Sequence, residues 1–394
     1  MLENNPRKSS VWKVAIIGAG LGGLATALAL RKQGIEAQVY EKAKELRPVG
    51  AGLTILPNGL NSLCAINPDL VEALKNAGSH TRMLNLKKST GELIVQSPIS
   101  LMEKYGQPML NMRWSRLQEI LAAALPTDTI HLNCRCIDFQ QHEQGVEVYF
   151  EDGKKVEADL LIGADGINST VRQILIGDGL PRYAGRLSWR GLVKYSHVLL
   201  PPNEVVLMTS PHGKVIMLID VGEGYVFWSA GSLSPEGNLS PNATEAKSRV
   251  LEIFADWGEP VQAIIQATDA ENIVERPICD RPPLTRWSQG KVTLLGDAAH
   301  PVVPSLGQGA NMAFEDAREL VEYLAAASSI EAALIQYENS RIHRTQVIQA
   351  RSALEGDRSY DSDSEAFLSG VREQAKVNQS EFEDWLYSTQ IKTN

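Results

Sequence analysis

Residues 13–23 read KVAIIGAGLGG, and no other stretch of the 394-residue chain restricts its fold as strongly. KVAIIG is a short apolar run of the kind that forms a buried strand, and residues 21–32, rich in Ala and Leu, predict a helix directly after it. Between them stands Gly18-Ala19-Gly20-Leu21-Gly22-Gly23, which fits the pattern G-x-G-x-x-G. Gly18 permits a tight turn, Gly20 lets a pyrophosphate approach the backbone, and Gly23 lets helix and strand pack closely. The helix N-terminus offers unpaired N–H groups to the negative phosphates. The pattern alone is weak; the strand before it and the helix after it make it strong. Residues 38–41 (QVYE) close a βαβ unit, and Glu41 stands about 20 residues beyond the glycines, where a carboxylate accepts hydrogen bonds from a ribose diol and repels a 2′-phosphate. The unit therefore predicts a bound dinucleotide, FAD or NAD rather than NADP.

The rest of the chain alternates between two kinds of pattern. Residues 113–125 carry Leu117, Ile120 and Leu121 at helical spacing and lead through Pro126 into strands around Ile130 and over 146–150, which are expected to rejoin the first sheet. From 191 to 231 the pattern becomes alternating and β-branched (LVKY, EVVLMT, KVIMLIDV, YVFWSAG), which predicts a separate antiparallel sheet. Gly222-Glu223-Gly224 tolerates positive φ and makes a hairpin there. KVTLL at 291–295 reads as a strand of the first layer again, followed by a glycine-rich loop and a helix over about 311–326. The expected fold is α/β. A discontinuous Rossmann-like domain (residues 11–72, 108–180 and 280–345) receives an inserted antiparallel β-sheet substrate domain (73–107 and 181–279). C-terminal helices occupy 346–394. Within that last segment, 357–365 is a polar acidic patch read as a loop. Phe382, Trp385 and Leu386 give a terminal helix one apolar face, to dock on its own body or on a partner.

Composition removes several classes of function. A formal net charge of -9 with scattered Lys and Arg leaves no footprint for nucleic acid. Arg7 and Lys8 lie in a polar beginning, and the apolar residues after it are broken by glycines, so neither a secretory core nor a transmembrane segment is expected and the protein is placed in the cytoplasm. Four cysteines (Cys64, Cys134, Cys136, Cys279) are too few and irregular for a disulfide framework and are read as buried free thiols. Cys134 and Cys136 share a strand face, yet no second Cys or His cluster follows at metal-ligand spacing, so no metal site is expected. The seven histidines are dispersed, without His-Glu-x-x-His or Gly-x-Ser-x-Gly.

Only one dinucleotide fingerprint is present, so further contacts to the same ligand are needed elsewhere. Residues 159–166 (DLLIGADG) end a strand in Gly-Ala-Asp-Gly, with Ser169 and Arg172 on the helix that follows. Residues 296–301 (GDAAHP) are followed by Pro304, by Gly307-Gln308-Gly309-Ala310-Asn311 and by Glu315-Asp316-Ala317. These stretches resemble the "DG" and "GD" motifs of the class A flavoprotein monooxygenases, the family of salicylate and hydroxybenzoate hydroxylases, ubiquinone-biosynthesis hydroxylases and zeaxanthin epoxidase. Smaller matches include Gly50-Ala51-Gly52-Leu53, Pro57-Asn58, Trp189-Arg190-Gly191 and Phe254-Ala255-Asp256-Trp257, so the resemblance spans residues 14–344.

The resemblance implies that the Rossmann-like domain binds FAD. It assigns cofactor contacts to Gly18, Gly20, Leu21, Gly23, Glu41, Lys42, Gly52, Arg113, Asp165, Asp297, Pro304, Gly307, Gly309, Ala310 and Asn311. In the family the Asp matched by Asp297 binds the ribityl chain, and the loop matched by Gly307 to Asn311 lies along the flavin. One position departs: many relatives carry Arg where this chain has Trp114. Arg113, one place earlier, is either the replacement flavin contact or a surface arginine.

The implied activity is a monooxygenase reaction on a small aromatic or apolar substrate, by hydroxylation or epoxidation. NADH or NADPH reduces the flavin transiently and leaves; O2 then adds, and the flavin hydroperoxide transfers oxygen. The protein's part is orientation and a dry, apolar pocket. Arg190 is the leading candidate for a polar group that fixes the substrate, against an exposed strand arginine. Tyr225, on one strand face with Phe227, is the second, against core packing. His300 belongs to the loop motif and His212 to a turn, so neither receives a catalytic role. Two rivals share the fold: a non-oxygenating FAD oxidoreductase of the prenyl-chain reductase type, and a flavin-fold binding protein without activity.

Overall fold

In the computed structural model the described residues are 12–46, 51–210, 213–359 and 379–388. Gly50, Arg7, Lys8 and His212 lie outside them, as does most of the acidic patch.

Short apolar runs that cannot expose either face assemble the first sheet. Its strands lie in the order Ser288–Gln289, Val292–Leu294, Leu160–Gly163, Lys13–Ile17, Glu36–Tyr40, Ile130–His131. All pairs are parallel except the short one at the edge, where Ser288 pairs with Thr293. Val14 to Ile17 and Leu160 to Gly163 are buried throughout, as parallel strands covered on both faces must be. The helix Leu21–Lys32 packs between this sheet and the helix Gly309–Ala326. Lys13–Ile17 is the strand whose two neighbours connect in opposite directions along the chain, the place where open α/β sheets bind ligands.

The second sheet has seven strands in the order Ile273–Asp280, Arg182–Lys194, Tyr225–Leu233, Lys214–Asp220, Glu204–Ser210, Met83–Lys88, Leu93–Pro98. It is antiparallel apart from one parallel pair, Glu204–Ser210 with Met83–Lys88, a non-local pairing that alternation cannot reveal. The expected hairpin is present: Gly222, Glu223 and Gly224 all have positive φ between its strands. Period-2 alternation divides the faces. Leu187, Trp189, Val226 and Trp228 bury against Val250, Phe254, Ile264 and Ile265 of two helices. Phe227, with Tyr225, Leu192 and Met217, packs on the opposite face with Ala51 and Met109. Gly191 is required by this packing, since a Cβ there would meet the Trp228 indole at 2.4 Å.

Three expectations are corrected. Val146–Phe150 does not rejoin the first sheet; it is the middle strand of a separate antiparallel meander with Cys136–Gln141 and Lys155–Ala158. Only a few residues join these strands, enough for hairpins and too few for the crossover that parallel pairing needs. The acidic patch is not a loop at its start, because the helix Ile330–Ser359 continues through Asp357, which pairs with Arg186 at 2.7 Å. Cys64 and Cys279 are half-buried rather than buried; all four thiols are free.

The helix expected over 113–125 spans Trp114–Ala123, with Leu117 and Leu121 buried. The terminal helix Gln379–Tyr387 docks on its own chain. Leu386 and Tyr387 are buried with Leu56, Met312 and Ile348, whereas Trp385 stays 38% exposed. Among the described residues, no helix is long and apolar enough to cross a membrane.

Candidate FAD site

A cleft of about 520 Å³ opens above the ends of the central strands of the first sheet. Local sequence builds each wall. Gly18 adopts φ +107° where the chain leaves its strand, and a Cβ there would lie 2.5 Å from the Ala164 carbonyl oxygen of the neighbouring strand. Gly23 has no room either, because its Cβ would fall 2.1 Å from the Gly18 carbonyl oxygen. Gly20 differs: a Cβ on it would meet no protein atom within 4 Å, so its backbone faces open cleft. Two helices point their N-termini here. Neither Leu21–Lys32 nor Gly309–Ala326 has a side-chain cap or an acidic residue in its first turn. Their N–H groups and positive dipole ends are thus left for a ligand anion such as a pyrophosphate.

Glu41 lines the cleft from the end of its strand. One carboxylate oxygen accepts from Ala19 N–H at 2.8 Å and the other from Ala43 N–H at 2.9 Å, which fixes the side chain and leaves further lone pairs for hydroxyl donors. Asp165 also borders the cleft. Its carboxylate caps the helix Thr170–Leu175, accepting from Ser169 Oγ and from Thr170 N–H at 2.7 Å. Burial pushes its pKa up, with those hydrogen bonds opposing. Asp297 is turned into the cleft and is exposed there, with the surrounding protein raising its pKa and His300 opposing. Arg172, fully buried, donates to the carbonyls of Ala298 and Ala299 at 3.0 Å each and pairs with Asp178, joining the two aspartate-bearing turns.

These features pass a simple test of fit. An open backbone at Gly20, two uncapped helix ends, and carboxylates at Glu41 and Asp297 supply acceptors and anion-binding donors in one groove, which is what a flavin dinucleotide requires. Gly18, Gly20, Leu21, Glu41, Lys42, Asp165, Asp297, Gly309 and Ala310 line it together. Gly23 packs behind it. Gly52 sits against Phe227, whose ring its Cβ would meet at 2.6 Å. Asn311 is fully buried and its side chain accepts from Leu56 N–H at 3.0 Å and donates to the Gly307 carbonyl at 2.8 Å, so it shapes the loop that also holds Pro304.

Arg113 is not among the residues lining the cleft: its guanidinium lies 4.7 Å from the Tyr225 ring centre and pairs with Glu223. Arg190 lies on the sheet face opposite Trp189, half-buried, with Nε donating to Ser188 Oγ at 3.3 Å. Tyr225 is half-buried between Arg113 and Lys194.

Several residues of the site were not assigned to it from the sequence. Trp114, noted only as a departure from the arginine that many relatives carry, lines the cleft with Arg135 and Asn168, and Gln118 Nε2 donates to the Ala19 carbonyl at 2.7 Å from behind the glycine loop. Cys134 and Cys136 line it as well, the Cys136 thiol pushed up to about 12 by burial. Among the described residues, no cluster of His, Cys, Asp and Glu could hold a metal ion.

The chain matches the family described as "FAD binding domain" over residues 12–352. It is 33% identical to the aurachin C monooxygenase/isomerase of Stigmatella aurantiaca over 332 residues, 84% of this chain and 85% of that protein. It is 33% identical to the FAD-dependent urate hydroxylase of Klebsiella pneumoniae over 344 residues, 86% of this chain and 88% of that protein. The crystal structure of Klebsiella pneumoniae HpxO complexed with FAD and uric acid superposes with a TM-score of 0.86 at 30% identity, covering 92% of this chain and 93% of that one.

Proposed function

Because the chain belongs to the FAD-binding-domain family and is an FAD-dependent monooxygenase, we propose that it takes electrons from NADH or NADPH. With O2 it places one oxygen atom on a small aromatic substrate and releases the other as water. The reaction is assigned to the cytoplasm, where reduced nicotinamide cofactors are supplied and four free thiols stay reduced. The observation that carries this reading is the groove in which Gly20, Glu41 and Asp297 meet two uncapped helix ends.

FAD, when bound, supplies the electron transfer and the activation of oxygen. The protein's residues hold and orient. The N–H groups at the starts of Leu21–Lys32 and Gly309–Ala326 receive the phosphates and the carbonyl edge of the ring system. Glu41 accepts from ribose hydroxyls and Asp297 from the ribityl chain. Exclusion of water falls to the apolar face of the second sheet, where Phe227, Leu192 and Met217 pack with Ala51 and Met109. Arg190, on that same face, fixes a polar or anionic substituent of the substrate, and Tyr225 borders it. No protein nucleophile is needed.

The experiment is an anaerobic titration of the holoenzyme with NADPH and then NADH, following the visible flavin bands with and without candidate aromatic compounds. Bleaching that accelerates with one compound identifies the reductant and the substrate class; ¹⁸O2 should then label that compound's product. Bleaching with no oxygen in any product would instead support a non-oxygenating oxidoreductase.

A further inference from the structure

Helix Ile330–Ser359 contributes a charge that the proposed chemistry does not use. Arg341 and Asp316 are fully buried and Glu315 is buried; the two acids are consecutive residues of the helix Gly309–Ala326. The fork of the guanidinium separates them: Nε meets Asp316 Oδ1 at 2.7 Å and Nη1 meets Glu315 Oε2 at 2.6 Å, while Nη2 donates to the Met312 carbonyl at 3.3 Å.

Each carboxylate spends its second oxygen on a different end of the loop that runs from Asp297 to Gln308. Asp316 Oδ2 accepts from Gly296 N–H at 3.0 Å and pairs with His300 Nε2 at 2.6 Å. His300 N–H in turn donates to the Gly296 carbonyl, closing the turn that aims Asp297 into the cleft. Glu315 is shared with Arg344, whose Nε meets Oε2 at 2.8 Å and whose Nη2 meets Oε1 at 2.7 Å; Oε1 also accepts from Asn58 Nδ2 at 2.7 Å, and the same Asn58 amide donates to Gln308 Oε1 at 2.9 Å. Gln308 is the fully buried residue that begins the helix whose Gly309 and Ala310 line the cleft.

We propose that Arg341 is a positioning residue for FAD, bracing both ends of the 297–308 loop through Asp316 and Glu315 without touching the cofactor. The proposal rests on the assignment of Asp297 and the Gly309 helix end to the FAD site. Replacing the guanidinium by an ammonium keeps the charge and loses the fork, so lysine cannot hold both carboxylates in one geometry. The Asp316 end then loses its guanidinium partner and the Glu315 end keeps only that of Arg344, so the cofactor must bind a loop that is less fixed in advance.

The test measures the FAD dissociation constant of purified holoenzyme from the flavin fluorescence released on dilution, alongside thermal unfolding, for Arg341→Lys, Asn58→Ala, Glu319→Gln and Asp297→Ala. Glu319 meets the same guanidinium at 3.4 Å and bonds to no residue of the loop, which makes it the control for a merely structural role. Expected results are at least a tenfold rise for Arg341→Lys, with altered visible flavin bands, about a fivefold rise for Asn58→Ala, and a change within twofold for Glu319→Gln. A folded Arg341→Lys enzyme whose FAD affinity is within twofold of the parent overturns the proposal, as does Glu319→Gln weakening FAD as much as Arg341→Lys. Should Arg341→Lys not fold, Asn58→Ala decides, and an unchanged affinity there overturns it. Asp297→Ala separates the two layers of argument. If it binds FAD as the parent does, the site assignment itself fails; if it weakens FAD while Arg341→Lys and Asn58→Ala do not, only the bracing role fails.

Discussion

The Glu41 carboxylate accepts a hydrogen bond from the backbone N–H of Ala19 at 2.8 Å, so the acid at the end of the second strand and the glycine loop after the first are one unit. A carboxylate held in this way presents its remaining lone pairs in a fixed direction toward the cleft. Hydrogen bonds to charged groups contribute about 1.5–3 kcal/mol. Glu41→Ala should therefore weaken FAD by about 10- to 100-fold, and Glu41→Gln, which keeps one acceptor oxygen, by less. Fluorescence titration measures both. Parental affinity in Glu41→Ala would remove Glu41 from the list of cofactor ligands.

Gly20 and Gly23 belong to one motif and should fail differently. A Cβ on Gly23 would overlap the Gly18 carbonyl oxygen, a backbone atom that cannot step aside. Gly23→Ala is expected to cost about 3 kcal/mol or more of folding stability, at the upper end of overpacking effects. Gly20 has φ -70° and no neighbour, so Gly20→Ala should fold within about 1 kcal/mol of the parent, the loss expected for alanine at a helix N-cap. Its methyl group points into the space the pyrophosphate needs, and FAD should bind at least about tenfold more weakly. Thermal melts without FAD and titrations with it separate the two. Equal stability losses in both variants would refute the division.

Arg113 is committed to Tyr225 and Glu223, on the hairpin of the second sheet. Arg113→Ala should leave FAD affinity within about threefold. It should lower stability by about 1 kcal/mol, the usual size of a partly exposed cation–π contact with a surface ion pair. A tenfold weakening of FAD would show that this arginine reaches the flavin after all.

The first sheet and its glycine loop were legible because strand, turn and helix follow one another without a break, so spacing alone places Gly18, Gly20, Gly23 and Glu41. Alternation likewise separated Tyr225 and Phe227 from Val226 and Trp228. What failed was non-local. The parallel pairing of Glu204–Ser210 with Met83–Lys88 joins strands more than a hundred residues apart. The meander around Val146–Phe150 depends on loop length, which an alternating strand does not display. Arg135 reaches the cleft from a segment read only as ordinary chain, and Trp114 lines it at the position where the resemblance turns attention to Arg113 instead. Arg341 was hidden for a further reason: a charged residue in a polar helix reads as solvent-facing unless the two carboxylates it meets are known to be buried as well.

Glu315 ties that buried network to pH. Burial would raise its pKa, but Arg341 first, then Arg344 and the amide of Asn58, outweigh burial and hold it down to about 2. In the unfolded chain it returns to the ordinary value of 4.5. A depressed folded value means that the unfolded state takes up the proton first, so the stabilisation is complete above about pH 5 and is lost as pH falls toward 2. The difference corresponds to something on the order of 3 kcal/mol. Asp316, facing His300 and the same arginine, is lowered as well and adds to the effect, whereas Asp165, raised by burial, acts in the opposite sense. Total acid stability therefore mixes both signs, and the informative quantity is the difference between the parent and Glu315→Gln. At pH 7 the variant should be less stable by that order of magnitude in urea unfolding, and the gap should narrow steadily from pH 5 to pH 2.5. A gap that stays constant across that interval would mean that Glu315 binds its proton equally well folded and unfolded, and that Arg341 does not hold it as a carboxylate.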